Sequence, residues 1–355
     1  MPIQRFTARN FRCLEEVELQ VAPGYNLIHG PNASGKTSIL EALAYLGRGK
    51  SFRGAATADL IRHGAEEFVL FGEVAVGDRV AKVGVRNNSD GLQVRIDGDG
   101  SGGAAALAGV LPLQIVDPDV HNLVAGGPEQ RRRYLDWLAF HVEHGYLDAW
   151  RRFRRALRQR NAALRNGAAT DVVRGWTAEF VGLAVAVDRG RRAALLAAGA
   201  TLQETARNLL QHDVEFSYQQ GWGVDKDLSM ALDDGLERDR QQGSTQLGPH
   251  RADLRLACES RRARRLVSRG QEKLLACAML LAATETAQTA LGRPILLLLD
   301  DPAAELDSDS LQRLMRQVAR LGCQVIATSL VADERLFPEP AALFHVEQGR
   351  LSRER

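Results

Sequence analysis

The chain has 355 residues, 45% of them apolar and 25% charged, with a net charge of +2, an ordinary globular make-up that suits one large domain or two modest ones. Four scattered cysteines (Cys13, Cys258, Cys277, Cys323) show no metal-ligand spacing and argue against a disulfide framework or a zinc site. No charged-then-apolar leader opens the sequence and the longest apolar run reads as too short for a bilayer, so a cytosolic protein without a membrane role is expected.

The N-terminal part alternates in strand-like pieces, "IQRFTARNF", "EEVELQV" and "YNLIHG", before a helix at "GKTSILEALAYLG". Period-2 alternation predicts further strands at "FVLFGEVAV", "RVAKVGVRN" and "LQVRIDG", followed by a loop at Gly98–Ala106. From about Pro128 the period becomes helical. Trp150, Phe153, Leu157 and Leu164 form a 3-4 stripe in which Arg160 or Asn161 holds the missing position. A break at Arg165–Thr170 precedes a second stripe from Val173 to Leu209, interrupted at Gly190, and together these predict an antiparallel helical arm. A strand near "VEFSY", a helix over "LSMALDDGLERDRQQG" and a strand at "ADLRLACES" follow. The chain ends with strand "PILLLLD", helix "DSLQRLMRQVARLG", strand "CQVIATS" and a hairpin at "ALFHVEQGRLSR". The expected fold is α/β with a mixed sheet and an inserted helical arm, divided as residues 1–140, 141–215 and 216–355.

Charge is unevenly placed. Between Arg131 and Arg165 ten arginines face three acids, Asp136, Glu143 and Asp148. Arg151, Arg152, Arg154, Arg155 and Arg158 run beside the first apolar stripe, and Arg261, Arg262, Arg264 and Arg265 make a second cluster. Such stripes attract polyanions, although a solvated helix face produces the same pattern. Neither a base-reading module nor an aromatic stacking platform is visible, so any DNA contact is expected to be independent of sequence.

"GPNASGKT" fits G-x-x-x-x-G-K-[ST], with a strand before it and a helix after it. Gly30, Pro31, Asn32, Ala33, Ser34 and Gly35 would curl successive backbone N–H groups round a phosphate chain, and the helix start, including Ser38, adds its positive dipole. Lys36 would reach the β- and γ-phosphates and Thr37 would hold Mg²⁺, so ATP with Mg²⁺ is the expected ligand. "ILLLLDD" reads as a buried parallel strand that delivers two carboxylates to the ligand edge of the sheet. There Asp300 would take Mg²⁺ and Asp301 would polarise the attacking water, while the same residues also suit a helix N-cap.

"SRGQEKLL" resembles the signature motif of ABC-type ATPases, with Ser268, Gly270 and Gln271 at its key positions. The resemblance implies that these residues serve the γ-phosphate bound to a second subunit, and hence an ATP-dependent homodimer; a plain serine N-cap accounts for them equally. By the same resemblance Asp307 is placed in the D-loop facing the partner site, Gln114 in the Q-loop beside Mg²⁺, and Thr328 where transporters carry a switch histidine. Ordinary strand roles remain open for Gln114 and Thr328.

Together with "FTARNFRCLEEVEL", "GRGKSFR", "LPLQIVDPDVHNLVAGGPEQRRRYLDW" and "GSTQLGPHRADL", these motifs resemble the RecF family of bacterial recombination mediators, relatives of SMC-type heads, over nearly the whole chain. The resemblance implies an ATP-dependent DNA-binding protein of gap repair, with weak turnover. It also implies action on duplex, single-strand or gap-junction DNA, alongside RecO- and RecR-type mediators that load RecA, in the bacterial cytoplasm. His250 and Arg251 in "GPHR" read equally as a contact or a structural corner. The alternatives are a transporter ATPase subunit, a long-armed chromosome-structural protein, an ATPase joined to a nuclease, and an architectural DNA binder. The first would place its signature closer to Gln114 and prefer histidine at position 328.

Overall fold

Alternating apolar positions fold the N-terminus into a hairpin of β1 (Ile3–Phe11) and β2 (Leu14–Gln20), burying Phe6, Ala8, Leu14, Val17 and Leu19. This computed structural model describes residues 2–355, leaving aside 101, 259–260, 263–267, 334–335 and 338–339 and the side chains of Arg261 and Arg262. After the hairpin come β3 (Tyr25–His29), α1 (Lys36–Arg48), α2 (Thr57–Leu60) and the meander β4 (Phe68–Val76), β5 (Arg79–Asn88) and β6 (Gly91–Ile96). The predicted loop that follows already turns helical at Ala104: α3 (Ala104–Val110) leads to β7 (Leu113–Val116). Small alanines there let Leu107 seat in the core.

The middle of the chain is helical. It contains α4 (Asn122–Ala125), α5 (Pro128–Val142), α6 (Tyr146–Arg165), α7 (Thr170–Leu210), β8 (Val214–Gln219), α8 (Leu228–Asp234), α9 (Leu236–Gln242), β9 (Asp253–Cys258), β10 (Arg261–Arg262) and α10 (Arg269–Leu291). The chain closes with β11 (Leu296–Leu299), α11 (Ser308–Arg320), β12 (Gln324–Ser329), β13 (Ala342–Glu347) and β14 (Arg350–Arg353).

Two compact units result: Met1–Val120 with Gly292–Arg355, and His121–Leu291. In the first, β1, β2, β4, β5 and β6 form an antiparallel sheet. The other runs β14-β13-β3-β12-β11-β7, with β13, β3, β12, β11 and β7 parallel. Every residue of β11 and β12 is buried, as a central parallel strand covered on both faces requires. Helix α1 packs on strands of both sheets and is buried at every residue from Ile39 to Gly47. It thereby joins Phe6, Phe11 and Leu70 to Ile28, Leu298 and Ile326 in one core. Consecutive burial on this scale overrides the amphipathic pattern of a surface helix.

In the second unit α7 packs on α5, α6 and α10, so the predicted helical arm belongs to a larger body and is not a segment by itself. Helix α7 also runs unbroken through Gly190, where an added Cβ would lie 2.6 Å from the Tyr146 ring. That glycine makes room for an aromatic rather than ending a helix. The helix expected after β8 is split into α8 and α9 at Gly235. By length and a mean hydropathy of 1.4, α10 could cross a bilayer, contrary to the sequence expectation, but Leu274, Leu275, Cys277, Met279 and Leu281 are buried inside the unit. It is a core helix.

The gap in the α6 stripe is filled by Arg160, which is fully buried. Its Nη1 donates to Asp239 Oδ2 and Thr245 Oγ1, each at 2.7 Å, and its Nε to Thr177 Oγ1 at 3.0 Å. The "GPEQRRRYLDW" and "GPHRADL" segments are fastened to each other in the same unit. Arg131 forks onto Asp253 at 2.7 and 3.2 Å, and Arg132 donates to Ala252 O. Asp136 and Pro249 O are bridged by Arg191. His250 is a corner of this network: its Nε2 lies 2.8 Å from Thr245 O, and burial pushes its pKa down to about 4, leaving it neutral at pH 7. Removing one partner of a buried pair strands the other charge. Asp239→Ala is therefore expected to cost about 3 kcal/mol, measured as a lower urea midpoint with an unchanged slope.

Candidate nucleotide site

The loop between β3 and α1 is shaped by its backbone. Gly30 (φ 151°), Ala33 (φ 61°) and Gly35 (φ 112°) occupy positive φ, conformations that glycine adopts at no steric cost. At Gly30 a Cβ would lie 2.1 Å from Val346 O, and Gly349 N donates to Ser34 O at 2.8 Å, so the β13–β14 turn braces the loop from behind. Pro31, Asn32 and Ala33 are exposed, whereas Ser34 is buried and its hydroxyl has no protein partner. Lys36 Nζ donates to Gly30 O at 2.7 Å and Pro31 O at 2.8 Å, crossing the mouth of the loop. Partial burial lowers its pKa against the opposing fields of Asp301 and Asp300. Ser38 sits in the first turn of α1, 3.6 Å from Cys13 Sγ.

Because β3, β12 and β11 are adjacent and parallel, their C-terminal ends meet at one edge. Asp300, the residue after β11, is buried, and its Oδ1 accepts from Thr37 Oγ1 at 3.0 Å and from Thr328 Oγ1 at 2.7 Å. The Thr328 hydroxyl in turn accepts from the Asp301 backbone N–H at 3.0 Å. Thr328 is thus a tie between the two aspartates, with both hydroxyl roles committed. Burial raises the Asp300 pKa, opposed by these two hydroxyl bonds. Asp301 is exposed, at φ 45° in the left-handed region, and so presents its carboxylate outward.

Hard oxygen donors at Thr37 and Asp300 suit Mg²⁺, which takes one or two protein ligands where phosphates supply others. The unpartnered Ser34 hydroxyl and the N-terminus of α1 suit a phosphate chain.

Gln114 is not brought to this group. It lies inside β7, paired with Leu297, three residues before the level of Asp300 and so roughly 10 Å back along the strand. Its Oε1 is occupied by Arg48 Nη2 and the Ile115 N–H, each at 3.2 Å. The residue that does follow β7 is Asp117, whose carboxyl pKa is pushed up to about 6 by burial and by Asp119. The strand-end logic applied to Asp300 would have found it in "IVDPD". Arg53, after α1, is exposed. Asp307 caps α11, accepting from Ser310 N at 2.8 Å, and is exposed.

Ser268, Arg269 and Gln271 are exposed at the start of α10 in the second unit, and Gly270 is half-buried. Gln271 N donates to Ser268 Oγ at 3.4 Å and Ser268 N to Gln271 Oε1 at 3.0 Å, a reciprocal capping box. The N-cap reading is therefore realised, on a helix end open to solvent. Arg151, Arg152, Arg154, Arg155 and Arg158 are all exposed on α6. Arg152 lies 3.8 Å from Asp148 and Arg154 stacks 5.4 Å from the centre of the Trp150 ring. Arg131, Arg132 and Arg160, by contrast, are spent inside the unit. Arg264 and Arg265 lie outside the described residues.

Residues 2–349 match the RecF/RecN/SMC N terminal domain family. A protein named DNA replication and repair protein RecF from Erwinia tasmaniensis is 39% identical over 99% of each chain. The chain belongs to the RecF family. A relative of the same name from Edwardsiella ictaluri is also 39% identical, over 99% of this chain and all of that one. Among solved structures, one described as the recombination mediator protein RecF-ATP in the RecFOR pathway superposes with TM-score 0.89, at 24% identity, over 100% of this chain and 98% of that chain. An Smc head domain from Pyrococcus furiosus reaches 0.62, at 15% identity, over 99% and 96%. The RecF fold, an ABC-type ATPase head with mixed sheets, is thus shared across the full chain.

Gly30→Ala must push a methyl group into Val346 O at a positive φ, and is expected to weaken nucleotide binding roughly tenfold by displacing the loop. Gly77→Ala, in the open β4–β5 turn, is expected to leave binding unchanged; titration of a fluorescent ATP analogue compares the two.

Proposed function

We propose that this RecF-family chain is a weak ATPase that uses ATP to close two copies into a DNA-binding clamp in recombinational gap repair. The observation that carries the reading is the Thr37–Asp300–Thr328–Asp301 linkage beside a loop braced for phosphate. In this reading Lys36 turns from Gly30 O and Pro31 O to the β- and γ-phosphates, as a cation on a flexible stem can. Thr37 and Asp300 hold Mg²⁺, which neutralises phosphate charge, and Asp301 orients the attacking water. Gln114, held by Arg48, takes no part at the metal in this reading.

Ser268, Gly270 and Gln271 of one copy serve the nucleotide held by the other, and Asp307 approaches that shared face. Their exposure at a helix N-terminus supports this assignment, because orphan N–H groups and the dipole there favour an anion. The names and RecFOR context of the relatives support DNA and mediator proteins of the RecO and RecR type as partners. The exposed arginines of α6 supply sequence-independent contacts to duplex, single-strand or junction phosphates. A threonine at position 328 and an aspartate at 301 are consistent with slow turnover, since the first cannot share charge and the second is short. A bacterial cytoplasmic location accompanies this role.

Sizing in solution with and without ATP and gapped DNA tests the assembly. Lys36→Ala is expected to lose both ATP binding and the dimer, whereas Ser268→Ala should bind ATP as a monomer yet fail to dimerise. Loss of monomer binding in Ser268→Ala would place Ser268 at its own site. Replacing Arg151, Arg154 and Arg158 with Gln should weaken DNA binding uniformly across sequences. The slope of log affinity against log salt should then fall by about one per lost phosphate contact; an unchanged slope would remove α6 from the interface.

A further inference from the structure

The strand that leads into the phosphate loop is held by the end of the chain. β3 lies between β12 and β13, and β14 is the outermost strand of that sheet. Parallel pairing sets His345 of β13 beside His29, the last residue of β3, with the two rings stacked 5.1 Å apart between centres. Ser352 of β14 pairs with His345, so Glu354, two residues on, is carried back to the face that His345 shares with His29. Its backbone N–H donates to Leu343 O at 2.8 Å, and its side chain reaches over β13 to accept from His29 Nε2 at 2.8 Å. The residue after His29 is Gly30, which leaves no room for a side chain against Val346 O. The C-terminal hairpin and its tail therefore meet the loop at Gly30 through Val346 O, at Ser34 O through Gly349 N, and at His29 through Glu354.

An exposed pair of this kind adds little to global stability. A carboxylate bonded one residue before the loop would by its charge alone disfavour an anion there. What the pair does fix is the exit of the chain from β3. The His29 ring is held on one face by His345 and at Nε2 by Glu354, so the backbone that follows starts from one direction. A loop already in shape takes a phosphate chain without having to be ordered by it. We propose that Glu354, acting through His29, is a positioning residue that holds the phosphate loop ready for nucleotide. This proposal rests on the ATPase reading above.

Fluorescent-nucleotide titration and hydrogen exchange over residues 30–38 test it in Glu354→Gln, Glu354→Asp, Glu354→Ala, His29→Ala and the double variant His29→Ala/Glu354→Ala. Glu354→Gln keeps an oxygen at the same reach and loses the charge, whereas Glu354→Asp keeps the charge and loses the reach. Glu354→Asp and Glu354→Ala are expected to weaken nucleotide binding roughly tenfold and to speed exchange in the loop, with Tm nearly unchanged. Glu354→Gln should bind at least as tightly as the wild type. The double variant should be no weaker than His29→Ala, because a missing ring needs no anchor. Tighter binding in Glu354→Ala would reduce the residue to a charge near the site, and unchanged binding and exchange would reduce the pair to a surface bridge; either result overturns the positioning role. Additive losses in the double variant would show that Glu354 does not act through His29. A wild type that binds no nucleotide would instead overturn the ATPase reading, and this positioning role with it, whatever the loop exchange shows.

Discussion

Asp300 Oδ1 accepts one hydrogen bond from Thr37 and another from Thr328, and so joins the start of α1 to the ends of β11 and β12 at a single buried atom. The parallel order β3-β12-β11 is what makes this possible. An antiparallel neighbour would send one of the three loops to the opposite edge. Burial alone would drive the Asp300 carboxyl toward protonation, and the two hydroxyls oppose it. Thr328 also fixes the backbone N–H of Asp301, so the exposed carboxylate inherits its position from the buried one. Rigidity passes from the sheet to the site through hydroxyl groups, which can exchange a carboxylate partner for a metal ion without repacking.

The second unit is organised by guanidinium groups instead. Arg131, Arg160 and Arg191 each bind a carboxylate and at least one further oxygen, connecting segments far apart in sequence. The planar fork of arginine suits such junctions, and lysine could not replace it without leaving acceptors unmatched. This divides the basic stretch from Arg131 to Arg165 into two populations. Some arginines hold the unit together, and those along the outer face of α6 remain available to a polyanion. A motif shared with a family need not mark a contact with ligand, since "RRRYLD" and "GPHRAD" chiefly secure each other here.

The phosphate loop, the acidic strand and the α/β class were legible because local backbone needs dictate their residues: glycines for positive φ, leucines for a strand covered on both faces. Gln114 was misplaced because the register of β7 against β11 is a long-range property that leaves no mark on either strand. Gly190 looked like a helix break because its reason, the Tyr146 ring, lies more than forty residues away. Arg160 left an apparent gap in an apolar stripe for the same kind of reason, as its partners Asp239 and Thr245 arrive from another element. Glu41 gave no signal at all: a glutamate inside "ILEAL" looks like helix surface until Arg12 and Ser51 are seen to surround it.

The capping box at Ser268 bears on how a second copy could use that residue. Its hydroxyl holds Gln271 N at 3.4 Å, a long bond, while the reverse bond from Ser268 N to Gln271 Oε1 is 3.0 Å. A serine cap contributes about 1 kcal/mol, and one this extended is weaker still. Turning the hydroxyl toward an incoming phosphate therefore forfeits little, and the glutamine side chain keeps the first turn of α10 formed while it happens. Glu272 N, donating to Ser268 O at 2.8 Å, adds a second restraint that does not involve the hydroxyl. Cap and phosphate contact are alternatives for a single oxygen, so in the dimer proposed above Ser268 would give up its cap bond to serve the nucleotide of the other copy.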